Sequence, residues 1–139
     1  MADLDPVALG LPHREPFIFI DSVTDVVMGE RGRALKTFGE SEPMFRGHFP
    51  GDPIVPGVIL TEALAQLAGI VAGKPGGALR LAAIKSMKFP SAARPGEKIE
   101  LSATLMGAVG GLVQCAVEAR TGERTLADGI IVLAEPPAA

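Results

Sequence analysis

From Phe17 to Val27 the chain is rich in β-branched and aromatic residues, and Met28-Gly29-Glu30-Arg31-Gly32 follows as a glycine-bounded turn. That pattern predicts a strand running into a hairpin. Arg33-Ala34-Leu35-Lys36-Thr37-Phe38 alternates in part between polar and apolar side chains, as expected of a half-buried strand paired with the first. Between Ser41 and Pro56 stand Pro43, Pro50, Pro53 and Pro56, with Gly47 and Gly51 among them. Proline has no amide donor and clashes inside a helix, so this stretch predicts a loop. From Gly57 to Gly73 the chain is apolar on nearly every side, which predicts a buried helix, ended by Lys74-Pro75-Gly76-Gly77. Four β-like runs complete the chain: Leu79 to Phe89, Lys98 to Met106, Leu112 to Ala119 and Thr125 to Ala134. Pro95-Gly96, Gly107 to Gly111 and Thr121-Gly122-Glu123 punctuate them as turns, so an antiparallel meander is expected.

A sheet of this kind must cover one face, and the helix is the one element available to cover it. The expectation is an α+β fold, a curved antiparallel sheet wrapped around one long central helix. No internal repeat or linker divides the chain, so residues 1–139 are read as a single domain, with 1–10 and 135–139 loosely ordered and the Pro136-Pro137 tail fraying. A chain of 139 residues buries roughly 68% of its unfolded surface, enough to fold without a metal or disulfide. Cys115 is the one cysteine and reads as a small buried hydrophobe within a strand. With no CxxC or Cys/His cluster, neither zinc nor a disulfide is expected, and a reducing compartment fits.

The formal charge is −3, from 13 basic and 16 acidic residues, which leaves no excess for a polyanion, so nucleic acid is not an expected partner. Trp and Tyr are absent, which removes base-stacking platforms and a membrane-interface belt. The apolar stretch Val58 to Ala72 is broken by Thr61, Glu62, Gln66 and Gly69 and falls short of the ~20 residues that span a bilayer. Met1-Ala2-Asp3-Leu4-Asp5-Pro6 lacks the basic and apolar regions of a signal peptide, so a cytoplasmic location is expected.

His13 and His48 are the only histidines, and a base titrating near neutrality is to be sought there. His48 lies in Phe45-Arg46-Gly47-His48-Phe49-Pro50-Gly51-Asp52-Pro53, where glycine and proline fix the backbone. It reads either as a base held against a ligand or as a loop histidine bonded to a local carbonyl; His13 reads as structural, holding the N-terminal segment. Glu62 is the only ionisable residue of the helix. Burial disfavours its charged form, which suits a group that carries and delivers a proton; the alternative is a structural pair with a basic residue. Gln66, at i+4, shares the face of Glu62 and could bond its carboxylate or a substrate. Pro56-Gly57 opens the helix with unpaired N–H groups and no side chain on Gly57, a place for a carbonyl gaining negative charge. Together these groups imply acid/base chemistry at one end of an apolar acyl slot. No GxSxG elbow, phosphate loop or dinucleotide fingerprint occurs.

Leu11-Pro12-His13-Arg14, the block from Gly47 to Val58 that reads GHFPGDPIVPGV, and Leu60-Thr61-Glu62-Ala63-Leu64-Ala65-Gln66 closely resemble the bacterial (3R)-hydroxyacyl-acyl carrier protein dehydratases of fatty-acid synthesis. The resemblance runs from about Leu11 to Leu133 and is most specific between residues 47 and 66. It implies the hotdog fold and a catalytic pair, His48 and Glu62, contributed by different subunits of a dimer. In the implied reaction His48 takes the C2 proton of a (3R)-3-hydroxyacyl thioester and Glu62 protonates the departing 3-hydroxyl, giving a trans-2-enoyl thioester and water. It further implies that the Gly57 N–H polarises the thioester carbonyl, with Gln66, Phe49 and Val58 supporting, and that no cofactor or metal takes part. The implied partners are an acyl carrier protein or coenzyme A thioester and a second copy of the chain, with a trimer of dimers as a further assembly.

Against the family pattern, Glu15 replaces an aromatic, Lys85 reverses a charge, Pro90 follows Phe89, and no tyrosine exists to gate an acyl tunnel. These departures bear on acyl length and pathway. The rival readings are a hotdog thioesterase, using water near Glu62, and a non-catalytic acyl-binding or partner subunit. Arg14, Arg46, Lys74, Lys85, Lys88 and Arg94 are the candidates for a basic docking patch facing an acidic carrier.

Overall fold

A computed structural model describes residues 3–73 and 79–136. Its elements are β1 (Ser22–Val27), β2 (Arg31–Thr37), α1 (Met44–Gly47), α2 (Gly57–Ala72), β3 (Arg80–Lys88), β4 (Lys98–Val109), β5 (Leu112–Thr121) and β6 (Arg124–Ala134). The strands form a six-stranded sheet in the order β1-β2-β4-β5-β6-β3, with every neighbouring pair antiparallel. The expected α+β hotdog architecture is present: α2 lies across the sheet and packs on β2, β4, β5 and β6.

Alternation along the strands builds the core. Ile99, Leu101 and Ala103 of β4, Val113, Cys115, Val117 and Ala119 of β5, and Ile131 and Leu133 of β6 are all buried, each set at the period of two that puts its members on one face. Leu60, Leu64, Leu67, Ala68 and Val71 of α2 are buried with them. Contact with β2 is so close that a Cβ on Gly32 would lie 2.8 Å from Val71 Cγ2 and 3.4 Å from Leu67 Cδ1. The helix stops at Gly73, whose φ of 59° is left-handed and whose N–H donates to the Gly69 carbonyl at 3.3 Å, a conformation that glycine adopts without steric cost. The expected terminator Lys74 to Gly77 lies outside the described residues, as does Pro137 of the tail.

Several sequence expectations are corrected. The first strand begins at Ser22 rather than Phe17, because backbone groups of Phe17 and Phe19 are bonded by the Gln66 side chain and so take no part in a ladder. The proline-rich segment contains one helical turn, α1, which starts directly after Pro43, where a missing N–H costs nothing. The last four strands do not form a continuous meander. β4, β5 and β6 do, but β3 pairs with β6, and β2 takes the place beside β4. The chain from β2 to β3 crosses the sheet with α2, so β3 emerges at the far edge. The β4–β5 turn is also tighter than expected: Val109 pairs with Leu112, leaving Gly110 and Gly111, both at positive φ, as a two-residue hairpin loop. At the N-terminus, where loose order is expected, Leu4 and Val23 exchange two backbone hydrogen bonds at 2.8 Å.

Among the described residues no strand pairs with the outer edge of β3, and almost all of its residues are exposed. Ile84 at its midpoint is 51% exposed and Phe89 just beyond its end 48%. No helix among the described residues is long and apolar enough to cross a membrane.

Candidate active site

His48 follows α1 directly, its N–H donating to the Met44 carbonyl at 3.0 Å. Its Nδ1 lies 3.1 Å from the Ile54 carbonyl. A carbonyl can only accept, so Nδ1 carries the proton and Nε2 keeps its lone pair. The bond to a local carbonyl is thus present, and it leaves Nε2 as the ring nitrogen that makes no bond to that carbonyl. The ring meets Phe49 edge-on at 4.7 Å between centroids. Phe49 sits at φ 54°, a left-handed conformation that a bulky side chain rarely takes, and its ring is exposed.

Gly57, the first residue of α2, lines the same cleft as His48, a space of about 440 Å³ walled by Phe49, Phe89, Pro90 and Leu126 among others. Ile59 and Leu60 N–H groups both donate to the Pro56 carbonyl, and the end of a helix concentrates positive potential there. A Cβ on Gly57 would come within 3.0 to 3.2 Å of the Phe89 ring, so the absent side chain makes room for that wall. Val58, one residue on, is 76% exposed.

The loop carrying Phe89 to Glu97 is clamped to the sheet. Arg124 of β6 donates to the Ser91 hydroxyl, the Ala92 carbonyl and both Glu97 oxygens at 3.0 to 3.1 Å. Glu97 also accepts the Arg94 N–H at 2.7 Å; that bond first, and the Arg124 guanidinium after it, hold its carboxyl below the usual range against the opposing effect of burial. Arg94 pairs with Asp52, which raises the guanidinium pKa and links the loop to the segment after His48. Val55 N–H donates to the Ala93 carbonyl at 2.7 Å. None of this clamp was foreseen from the sequence, where Arg94 was read only as a docking candidate.

Glu62 lies elsewhere. It lines a second cleft, of about 290 Å³, with Pro12, His13, Ala65, Leu79, Arg80, Leu81 and Leu133. Residues 57 and 62 of one helix stand about 140° apart around the axis and roughly 7.5 Å along it, so Gly57 and Glu62 face different ways. Glu62 Oε2 accepts from Gln66 Nε2 at 3.1 Å and faces His13 Nε2 at 3.4 Å. His13 thus sits on the carboxyl, a relation the sequence reading missed although it singled out Leu-Pro-His-Arg. Gln66 is 1% exposed. Its Nε2 also donates to the Phe17 carbonyl and its Oε1 accepts the Phe19 N–H, both at 3.0 Å, so both of its N–H donors are taken by the chain and none is free for a substrate.

Cys115 is fully buried in β5, which pushes its thiol up to about 11. Among the described residues, no three His, Cys, Asp or Glu side chains come together to hold a metal.

A curved antiparallel sheet around one helix, with a histidine and a glutamate in separate clefts beside its free edge, defines a hotdog-fold protein with acid/base groups. Residues 11–125 match the FabA-like domain family, and the chain belongs to that family. The 3-hydroxyacyl-acyl-carrier-protein dehydratase FabZ of Ruminiclostridium cellulolyticum is 38% identical over 131 residues, which cover 89% of this chain and 90% of that one. The FabZ of Thiobacillus denitrificans is 38% identical over 117 residues, covering 79% and 81%. The dehydratase heterocomplex ApeI:P of Xenorhabdus doucetiae superposes with a TM-score of 0.80 over 96% of this chain and 92% of that one, at 19% identity; that likeness speaks for the fold.

Proposed function

We propose that the protein dehydrates (3R)-3-hydroxyacyl thioesters carried on acyl carrier protein, giving trans-2-enoyl thioesters and water at a site shared between two copies. The observation that carries this reading is His48, with its basic Nε2 and the α2 N-terminus in one cleft, in a chain whose relatives are FabZ dehydratases. Nε2 removes the C2 proton, a weak acid. Charge passing to the thioester oxygen is met by the Gly57 N–H and the helix end. Hydroxide is a poor leaving group, so the 3-hydroxyl departs as water only when an acid supplies a proton, and Glu62 supplies it.

Within one chain the base and the acid line different clefts, and the run of β3 supplies a reason to bring in a second copy. β3 begins beside Glu62, at Leu79 to Leu81, and ends beside His48, at Phe89 and Pro90. At about 3.3 Å per residue its nine residues span roughly 26 Å. Two copies related by a twofold axis pair their free β3 edges antiparallel. The start of one strand then lies beside the end of the other, and Glu62 of one copy meets His48 of its partner. Exposed Ile84, Leu81 and Phe89 are the apolar surface such a pairing covers.

Mass spectrometry of carrier-bound (3R)-3-hydroxyacyl substrates of several chain lengths tests the reading. Wild-type protein removes one water and leaves the thioester intact, while His48→Ala and Glu62→Gln do not. Co-expressing the two variants restores one intact site in each mixed dimer, about a quarter of wild-type activity for random pairing. Release of free acid would make the protein a thioesterase, and unchanged substrate at every length would make it a binding or partner subunit. Failure of the mixed dimers to recover would refute the shared site.

A further inference from the structure

We propose that His13 is a positioning residue for Glu62: a neutral donor that orients the carboxyl and stabilises the charge left when its proton is delivered. The proposal rests on reading Glu62 as the general acid. Its basis is the one-sidedness of the contacts around that carboxyl. Gln66 Nε2 and His13 Nε2 both meet Oε2, at 3.1 and 3.4 Å, from two different elements, and no hydrogen bond from a described residue reaches Oε1. An acid held in this way keeps Oε2 as the acceptor and carries its proton on Oε1, the oxygen free to hand it on.

The other nitrogen of His13 decides how the imidazole acts. Nδ1 is buried and has no hydrogen-bond partner among the described residues. A proton there would be a buried donor with nothing to bond, whereas a proton on Nε2 points at Oε2. His13 is therefore the Nε2–H tautomer, with its lone pair turned into the protein. It donates to Glu62 before and after proton transfer without having to reorganise.

The ring is held on two sides, by Glu62 and by Phe17. It stacks on Phe17 with centroids 6.0 Å apart and planes at 24°, and the Phe17 carbonyl is bonded to Gln66. The Arg14 guanidinium donates to the carbonyls of His13 at 2.8 Å and Leu11 at 2.9 Å. Among the described residues, His13 and Arg80 of β3 are the charged or titratable side chains that line the cleft with Glu62. Arg14, His13, Glu62, Gln66 and Phe17 close a loop of contacts that ties the N-terminal segment to α2 at the point where the acid stands.

The donor is removed in His13→Ala, which leaves the charge on Glu62 less stabilised as its proton is delivered. We expect that variant to lose about tenfold in kcat, as for one hydrogen bond to a charged group, with KM within about twofold of wild type. His13→Gln, whose amide N–H reaches the same oxygen, recovers most of kcat. An unchanged kcat in His13→Ala would overturn the proposal. So would equal losses in both variants with matching falls in Tm, the mark of a purely structural role. A His13→Gln variant as inactive as His48→Ala would make His13 the base and overturn it as well. A second measurement is independent of turnover: 15N NMR of the His13 imidazole, assigned with His13→Gln. The Nε2–H tautomer is expected, with an Nε2 shift that moves in Glu62→Gln, and an Nδ1–H tautomer sinks the proposal. A wild-type protein that turns over no hydroxyacyl thioester sinks the dehydratase reading and leaves the NMR arm to judge His13.

Discussion

Gln66 joins three parts of the molecule through one amide. Its bonds to Phe17 and Phe19 span 49 and 47 positions in the sequence, and its bond to Glu62 spans one helical turn. Gln66→Leu keeps the volume and removes all three, leaving backbone groups of Phe17 and Phe19 without their partners. At about 0.5 to 1.5 kcal/mol net for each hydrogen bond lost at these part-buried groups, we expect chemical denaturation to show a loss of roughly 2 kcal/mol. The contact with Glu62 was legible, because i, i+4 spacing on a helix is local geometry. The contacts with Phe17 and Phe19 were not, since periodicity says nothing of which distant segment will lie against a helix face. For the same reason His48 and Glu62 could be picked out as candidates, whereas the imidazole over Glu62 needed coordinates.

At the scale of elements, the approach of α2 to β2 depends on Gly32, where there is no space for a methyl group beside Val71 and Leu67. Gly32→Ala should cost about 1 to 3 kcal/mol by overpacking, read as a lower denaturation midpoint with unchanged m-value. The Phe89 to Glu97 loop has a pH-dependent fastening. Because the folded protein holds the Glu97 carboxyl below its ordinary value of 4.5, its contribution is complete above that value and vanishes as pH falls through the lower, folded value. Glu97→Gln imitates the protonated acid, so its Tm should lie below that of wild type at neutral pH and converge with it under acid. Strand and helix types were legible from alternation and from the all-round apolar run of α2. The seat of β3 was not: strands near in sequence usually pair, and only the packing of α2 across the sheet shows why β3 is carried past β4 to the edge of β6.

For the whole molecule the unpaired edge of β3 is the governing feature. Ile84 stands at its midpoint, half exposed in the single chain, and in the proposed twofold pairing a charge there would be set against its own copy. On that proposal Ile84→Asp is expected to give a monomer in light scattering where wild type gives a dimer and, because each proposed shared site then lacks its acid, to abolish dehydration. Circular dichroism should stay that of the folded chain, since Ile84 is outside the buried core. The separation of His48 and Glu62 into two clefts also reaches beyond one gene. If the proposed site is shared between copies, then after a duplication one copy can lose the histidine and the other the glutamate without loss of the reaction, provided that the two products pair. Each is then useless alone and indispensable to the other, and an enzyme that began as two identical halves becomes an obligate partnership by subtraction.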